Sequence, residues 1–235
     1  MKLAILQTDV LHPEFLEQYQ GYGMMFQQMF AEANVALETE IFSVIDGVYP
    51  DDPTAYDAML ITGSKADAFS TEPWIVRLTS YIQQQFNAGQ KLLGICFGHQ
   101  LLAHSLGGRV QRADAGWGVG IMHYRWCSTP SWLQSPAHDV SLLCSHRDQV
   151  VALPPHATLL ASNDFCPNAA FYIDQRVLGF QAHPEFTKAY AEALLRKRWH
   201  DIGEDKAATA LVSYQQPHQG RFVAEMMARF MAAEA

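Results

Sequence analysis

One cysteine, set between two glycines where an apolar run meets a helical segment, constrains the fold of this chain more than any other feature. Lys91–Ile95 has the composition of a buried strand, and the segment after Cys96 is helical until paired glycines stop it at positions 107 and 108. Gly94 and Gly98 remove side chains that would crowd a sharp turn at Cys96. The pattern predicts a strand, a turn and a helix, with the thiol at the sheet edge where open α/β sheets bind ligands.

The first half of the chain alternates short apolar runs with longer helical stretches. This order is typical of a parallel sheet covered by helices on both faces. Strands are predicted at 2–7, 36–44, 58–62 and 91–95, and helices at 14–33 and 72–87. We therefore expect an α/β fold with an open, mostly parallel sheet.

The second half has shorter runs separated by turn residues, which predict a small antiparallel extension and a return to the central sheet. These runs lie at 118–124, 139–144, 158–161, 169–173 and 177–181. From Phe186 the chain is helical, and the apolar stripe of Phe222, Met226 and Phe230 predicts a docked C-terminal helix. We expect a single domain over 1–235, in which 186–235 is a helical C-terminal extension.

Charge and cysteine content narrow the choice of function. Lys and Arg number 16 against 24 Asp and Glu, a formal net charge of −8, so no cationic surplus is available for nucleic-acid phosphates. The apolar run at 3–6 is too short to cross a membrane, and we expect no membrane partner. The four cysteines include no Cys-x-x-Cys pair, which favours a reduced, cytoplasmic protein over a disulfide framework or a zinc site.

A second local pattern supplies a base for the cysteine. Ten histidines compete for this role, and we select His183 because an apolar run leads into His183-Pro184-Glu185. Residues i and i+2 of an extended backbone point to the same side, so the Glu185 carboxylate can orient the His183 ring. Pro184 favours that extended geometry. The alternative interpretation is a strand end followed by a helix, with Glu185 as a first-turn acid that complements the helix dipole.

The two patterns together resemble the motifs of the class I, triad-type glutamine amidotransferase family. The run Gly94-Ile95-Cys96-Phe97-Gly98-His99-Gln100 matches its Gly-x-Cys-x-Gly-x-Gln motif, and His183-Pro184-Glu185 matches its His-Pro-Glu motif. Segments at 61–64, 67–69 and 72–75 are similar to free-standing proteins that resemble the glutaminase part of GMP synthetase, and to the γ-glutamyl peptidases. The resemblance implies a flavodoxin-like fold and covers 3–185 in element order.

The resemblance implies a catalytic triad. Cys96 is expected to attack a γ-glutamyl carbonyl and form a glutamyl thioester, whose hydrolysis yields glutamate and ammonia or an amine. His183 is the implied acid and base, and Glu185 the carboxylate that orients it. This chemistry needs no metal and no other cofactor, and none is expected.

The resemblance also implies oxyanion donors and substrate contacts. The donors are the backbone N–H groups of Phe97 and of the turn at Gly63, where Gly63-Ser64 stands in place of the two glycines of many members. The contacts are Gln100, Ser145 and His146, and Trp117 falls where the family places a loop over the pocket.

Three functions remain open at this stage. The first is a hydrolase acting on glutamine, which needs a partner synthetase or acceptor subunit if its ammonia is used in a synthesis. The second is a free-standing γ-glutamyl peptidase acting on glutathione-like compounds. The third is a non-catalytic regulatory subunit of the same fold, which the presence of Cys96, His183 and Glu185 disfavours. A different cysteine hydrolase or a thiol-dependent chaperone on a related sheet is disfavoured by Gln100 and by the His-Pro-Glu spacing.

Overall fold

The computed structural model describes residues 1–134 and 139–233. Within these residues the strands are β1 (Lys2–Gln7), β2 (Glu38–Ser43), β3 (Ala58–Ile61), β4 (Lys91–Ile95), β5 (Arg109–Arg112), β6 (Gly118–Trp126), β7 (Asp139–His146), β8 (Asp148–Ala152), β9 (Thr158–Ser162), β10 (Ala170–Ile173) and β11 (Val177–Phe180). The helices are α1 (Pro13–Tyr19), α2 (Tyr22–Glu32), α3 (Pro73–Asn87), α4 (Phe97–Ser105), α5 (Lys188–Lys197), α6 (Trp199–Ile202), α7 (Glu204–Ser213) and α8 (Gly220–Ala232).

The main sheet has the order β2-β1-β3-β4-β11-β10-β9-β6-β7. The first five strands in this order pair in parallel, and the remaining pairings are antiparallel. Strands β3 and β11 are buried along their whole length, as expected for parallel strands covered on both faces. The predicted open, mostly parallel sheet with an antiparallel extension is confirmed.

Helices cover both faces of the parallel part. Phe26 and Phe30 of α2 pack with Phe230 of α8 in the core on one face. Ile75, Leu78 and Ile82 of α3 pack with Leu101 and Leu102 of α4 in the core on the other face. The predicted C-terminal stripe therefore belongs to a docked helix, because Met226 and Phe230 are fully buried.

The chain departs from the predicted elements in two places. The helix predicted at 14–33 is two helices, because Gln20 takes a left-handed conformation (φ 60°) between α1 and α2. Strands β5 and β8 form a separate two-stranded antiparallel sheet that was not predicted. Strand β5 is only four residues long and has Val110 as its single apolar residue, so it lacks the alternation by which strands are recognised.

The turn from β4 to α4 has the predicted shape. Cys96 precedes the first residue of α4 with φ 53° and ψ −102°, a conformation that residues with side chains rarely adopt. A Cβ atom on Gly94 would lie 2.5 Å from the Gly98 carbonyl group, and a Cβ atom on Gly98 would overlap the Ile61 carbonyl oxygen. Both glycines are therefore required for the close approach of α4 to β3 and β4.

We predict that Gly98→Ala lowers the free energy of unfolding by about 3 kcal/mol, because the obstructing atom belongs to the backbone of a central strand. Gly89→Ala is the control, since Gly89 has φ +92° but open space around it, and we expect a cost of about 1 kcal/mol from its backbone conformation alone. Chemical denaturation of both variants measures the difference. Equal destabilisation by the two substitutions would contradict the packing argument.

Candidate active site

Cys96 is held by its backbone at the carboxyl end of β4. Its N–H group donates a hydrogen bond to the Phe180 carbonyl oxygen (2.8 Å), and its carbonyl oxygen accepts from the Gln100 N–H group (3.0 Å). The side chain is almost buried, with 5% of the residue surface exposed, yet it lines an open cleft of about 280 Å³. The thiol therefore faces this cleft, at the N-terminus of a helix whose first N–H groups lack intrahelical acceptors.

His183 follows β11 and is fixed from three directions. Its backbone N–H group donates to the Leu143 carbonyl oxygen (2.8 Å). Its ring stacks on the Phe186 ring, with centroids 3.9 Å apart and planes 10° from parallel. Its Nδ1 atom lies 2.8 Å from Glu185 Oε1, and both side chains are buried. The expected approach of the Glu185 carboxylate to the His183 ring is present.

Gly63 marks the place where the cysteine and the histidine meet. A Cβ atom on Gly63 would lie 2.9 Å from His183 Cε1 and 3.7 Å from Cys96 Cβ. The imidazole and the thiol therefore face the same point at Gly63, and the charge of one acts on the other. The structure thus brings Cys96, His183, Glu185 and Gly63 together, although they come from three separate parts of the sequence.

The charge state of His183 follows from its neighbours. Burial lowers the pKa of the imidazole, but the Glu185 carboxylate and the negative charge of a Cys96 thiolate raise it more strongly, and the net effect raises the pKa of His183 to about 10. An imidazolium at His183 is therefore favoured at neutral pH.

Both residues expected to supply oxyanion donors are close to Cys96. Phe97 is the first residue of α4, and Gly63 lies in the turn that follows β3. Thr8 fixes this turn, because its hydroxyl group lies 3.1 Å from the Thr62 carbonyl oxygen and 3.0 Å from the Gly63 carbonyl oxygen. Sequence analysis did not identify Thr8, since a threonine after an apolar strand carries no distinctive local signal.

The three expected substrate contacts line the same cleft as Cys96. Gln100 Nε2 donates to the Asp148 carbonyl oxygen (2.8 Å) and to Gln181 Oε1 (3.1 Å), which leaves Gln100 Oε1 as an acceptor. Ser145 Oγ accepts a hydrogen bond from Arg198 (2.9 Å). Burial lowers the pKa of His146 to about 4, so its ring is neutral and its Nδ1–H group donates to the Asp148 carbonyl oxygen (3.2 Å).

Charged side chains around the cleft were not identified from the sequence. Arg112 Nε lies 2.6 Å from Asp148 Oδ1, and a terminal nitrogen of the same guanidinium lies 3.1 Å from Asp67 Oδ1. Trp117 is placed at the cleft as expected, and the guanidinium groups of Arg147 and Arg198 lie 5.1 and 5.4 Å from its ring centroid. These contacts join residues that are distant in sequence.

The chain resembles proteins of known family in both sequence and structure. The family model described as glutamine amidotransferase class-I matches residues 35–201. Gamma-glutamyl peptidase 3 of Arabidopsis thaliana is 36% identical over 184 residues, which cover 74% of this chain and 73% of that protein. Gamma-glutamyl peptidase 5 of the same organism is 38% identical over 178 residues, covering 72% of this chain and 70% of that protein.

Solved structures show the same fold over the full chain. A glutamine amidotransferase from Thermotoga maritima superposes with a TM-score of 0.78 at 19% identity, covering 99% of this chain and 98% of that one. A glutamine amidotransferase from Methylobacillus flagellatus superposes with a TM-score of 0.68 at 18% identity, covering 98% of this chain and 90% of that one.

Among the helices described within 1–134 and 139–233, none is long and apolar enough to span a membrane.

The family model covers well over half of the chain, the peptidase relatives match most of it, and the resemblance first noted at Cys96 and His183 extends to the whole fold. The chain belongs to the class I glutamine amidotransferase family.

Proposed function

We propose that this protein is a cysteine hydrolase that cleaves γ-glutamyl amide bonds through a glutamyl thioester on Cys96. The observation that carries the proposal is the arrangement of three side chains. Cys96 stands at a sharp strand-to-helix turn, and it meets at Gly63 a His183 ring that is hydrogen bonded to the buried Glu185 carboxylate. A nucleophile, a base and a group that orients the base are the three parts that acyl transfer requires.

The proposed reaction begins with the Cys96 thiolate and the His183 imidazolium. The sulfur attacks the γ-carbonyl carbon, and the N–H groups of Gly63 and Phe97 stabilise the oxyanion, each contributing about 3 kcal/mol. His183 then donates its proton to the leaving nitrogen as the carbon–nitrogen bond breaks. In the second half, neutral His183 takes a proton from water, which attacks the thioester, and glutamate leaves as the thiolate is restored.

We propose γ-glutamyl peptides as the preferred substrates, because the relatives at 36% and 38% identity are named gamma-glutamyl peptidases. Such an enzyme needs no partner. Glutamine is the second candidate, since the family is named for glutamine amidotransferases. In that case a synthetase or acceptor subunit has to use the ammonia.

The test is glutamate release by the purified protein from glutamine and from γ-glutamyl-cysteinyl-glycine, measured side by side. Release from neither substrate would overturn the proposal and favour a regulatory subunit.

We predict that Cys96→Ala lowers kcat/KM at least about 10⁴-fold, because the nucleophile is removed while little volume is lost. The matched control is Cys127→Ala, since Cys127 is an exposed thiol outside the cleft and its loss should leave the rate unchanged. Glutamate release and thermal unfolding are measured on both variants. Turnover near the wild-type rate in a folded Cys96→Ala protein would refute the assignment of the nucleophile.

His183→Ala is expected to lower the rate more than Glu185→Gln. The alanine variant loses the proton carrier, with a loss of about 10⁶-fold, whereas the glutamine variant loses only the charge that orients and stabilises the imidazolium, with a loss of about 10⁴-fold. The Phe186 stack and the backbone bond to Leu143 still hold the ring in the glutamine variant. Steady-state kinetics on both variants give the ranking, and a reversed order would contradict these roles.

The raised pKa of His183 predicts a distinctive titration. Ring NMR signals of wild-type His183 should show an imidazolium at neutral pH and lose the proton only near pH 10, whereas in Glu185→Gln the pKa should fall toward its ordinary value of about 6.5. The pKa of His183 is higher in the folded protein than in the unfolded chain, so protonated His183 stabilises the fold. This stabilisation is complete below about pH 6.5 and is lost as the pH rises toward 10. The stability difference between wild type and Glu185→Gln should shrink over that range, and a neutral His183 ring at pH 7 in wild type would contradict this electrostatic account.

A further inference from the structure

The cleft that contains Cys96 continues into a second groove. This groove has a volume of about 450 Å³ and shares Ser64–Asp67 and Arg147 with the cleft. Its further wall includes Ile45 of the turn after β2 and Trp74 of α3. The two cavities therefore meet along the segment that follows Gly63, and Arg147 stands at their junction.

The second groove lies on the side of the proposed oxyanion donors. The Trp74 ring in its wall packs on the Phe97 ring, with centroids 5.6 Å apart, and Phe97 is the residue after Cys96. The proposed function assigns the glutamyl part of a substrate to the cleft itself, where Gln100 Oε1 can accept a hydrogen bond from an α-ammonium group because Gln100 Nε2 already has its own acceptors. The second groove is then left for the leaving group, which is the part of the substrate beyond the scissile bond.

The charge at the junction distinguishes Arg147 from its neighbours. Lys65 is paired with Asp9 (3.0 Å), and Lys197 with Glu14 (2.6 Å). Arg198 donates a hydrogen bond to Ser145 Oγ (2.9 Å) and does not line the second groove. Among the described residues no carboxylate lies within 4.0 Å of the Arg147 guanidinium, which is half-buried against the face of Trp117. A guanidinium presented in this way binds carboxylates with paired, charge-assisted hydrogen bonds.

Resting on the proposed γ-glutamyl hydrolase function, we propose that the second groove receives the leaving group of a γ-glutamyl peptide and that Arg147 binds the carboxylate of that leaving group. Glutamine has no such carboxylate, since its leaving group is ammonia. Arg147 is therefore a specificity-determining residue, which selects peptides with a free carboxyl end over glutamine and over amidated peptides.

The test compares three substrates that share the glutamyl part: γ-glutamyl-cysteinyl-glycine, its C-terminal amide and glutamine. Wild type should hydrolyse the acid with a kcat/KM at least about 10-fold above that of the amide, the ratio expected from one charge-assisted hydrogen bond. Arg147→Gln should bring the acid down to the level of the amide while leaving kcat/KM for the amide and for glutamine unchanged. Arg147→Lys should keep part of the preference, because the positive charge remains.

Arg109→Gln is the matched control, since Arg109 is an exposed arginine on β5 outside both cavities and its loss changes the net charge equally. It should keep the wild-type ratio between acid and amide. An unchanged ratio in Arg147→Gln would overturn the proposal, as would equal losses on all three substrates, which would place Arg147 on the glutamyl α-carboxylate or in the fold. Wild type that hydrolyses all three without preference refutes only the role of Arg147, whereas wild type inactive on all three refutes the proposed function itself.

Discussion

The sharp turn between β4 and α4 is the constraint on which the rest of the structure depends. The turn puts Cys96 in a conformation with positive φ and brings α4 so close to β3 that Gly98 has no room for a side chain. Such a strained conformation persists only where its surroundings over-determine it. Here the surroundings are the hydrogen bond from Cys96 to β11 and the cores on both sheet faces. The sheet thus holds the Cys96 sulfur in position at its edge.

The burial of His183 and Glu185 is a second constraint, and it has the higher cost in free energy. Taking a carboxylate and an imidazolium out of water costs several kcal/mol for each ion, and the attraction between them offsets this only in good geometry. The 2.8 Å contact between His183 and Glu185 supplies that geometry, and the stack on Phe186 keeps the ring in place. The Cys96 thiol is also near the imidazolium. The arrangement therefore suits proton transfer better than it stabilises the fold.

Sequence analysis located the parts of the site that are local in the chain. The turn at Cys96 needs glycines two residues away, and the orienting carboxylate of His183 is also two residues away, so both appear as short motifs. Thr8, Arg112 and Arg198 escaped prediction because their partners lie 54, 36 and 53 residues away, and only the folded sheet brings them together. The break at Gln20 was missed for a related reason, since nothing in its residue type requires a left-handed conformation.

The central claim is that Cys96 forms a covalent bond to the γ-carbonyl carbon of a glutamyl substrate. The most direct measurement is mass spectrometry of peptides from protein inactivated by the diazoketone analogue of glutamine, whose ketone takes the place of the γ-carbonyl group and whose reactive carbon, next to that ketone, takes the place of the amide nitrogen. The account predicts one label per chain, on Cys96, together with loss of glutamate release and protection by substrate. Labelling of Cys127, Cys144 or Cys166 in its place, or full activity in protein labelled at Cys96, would contradict it.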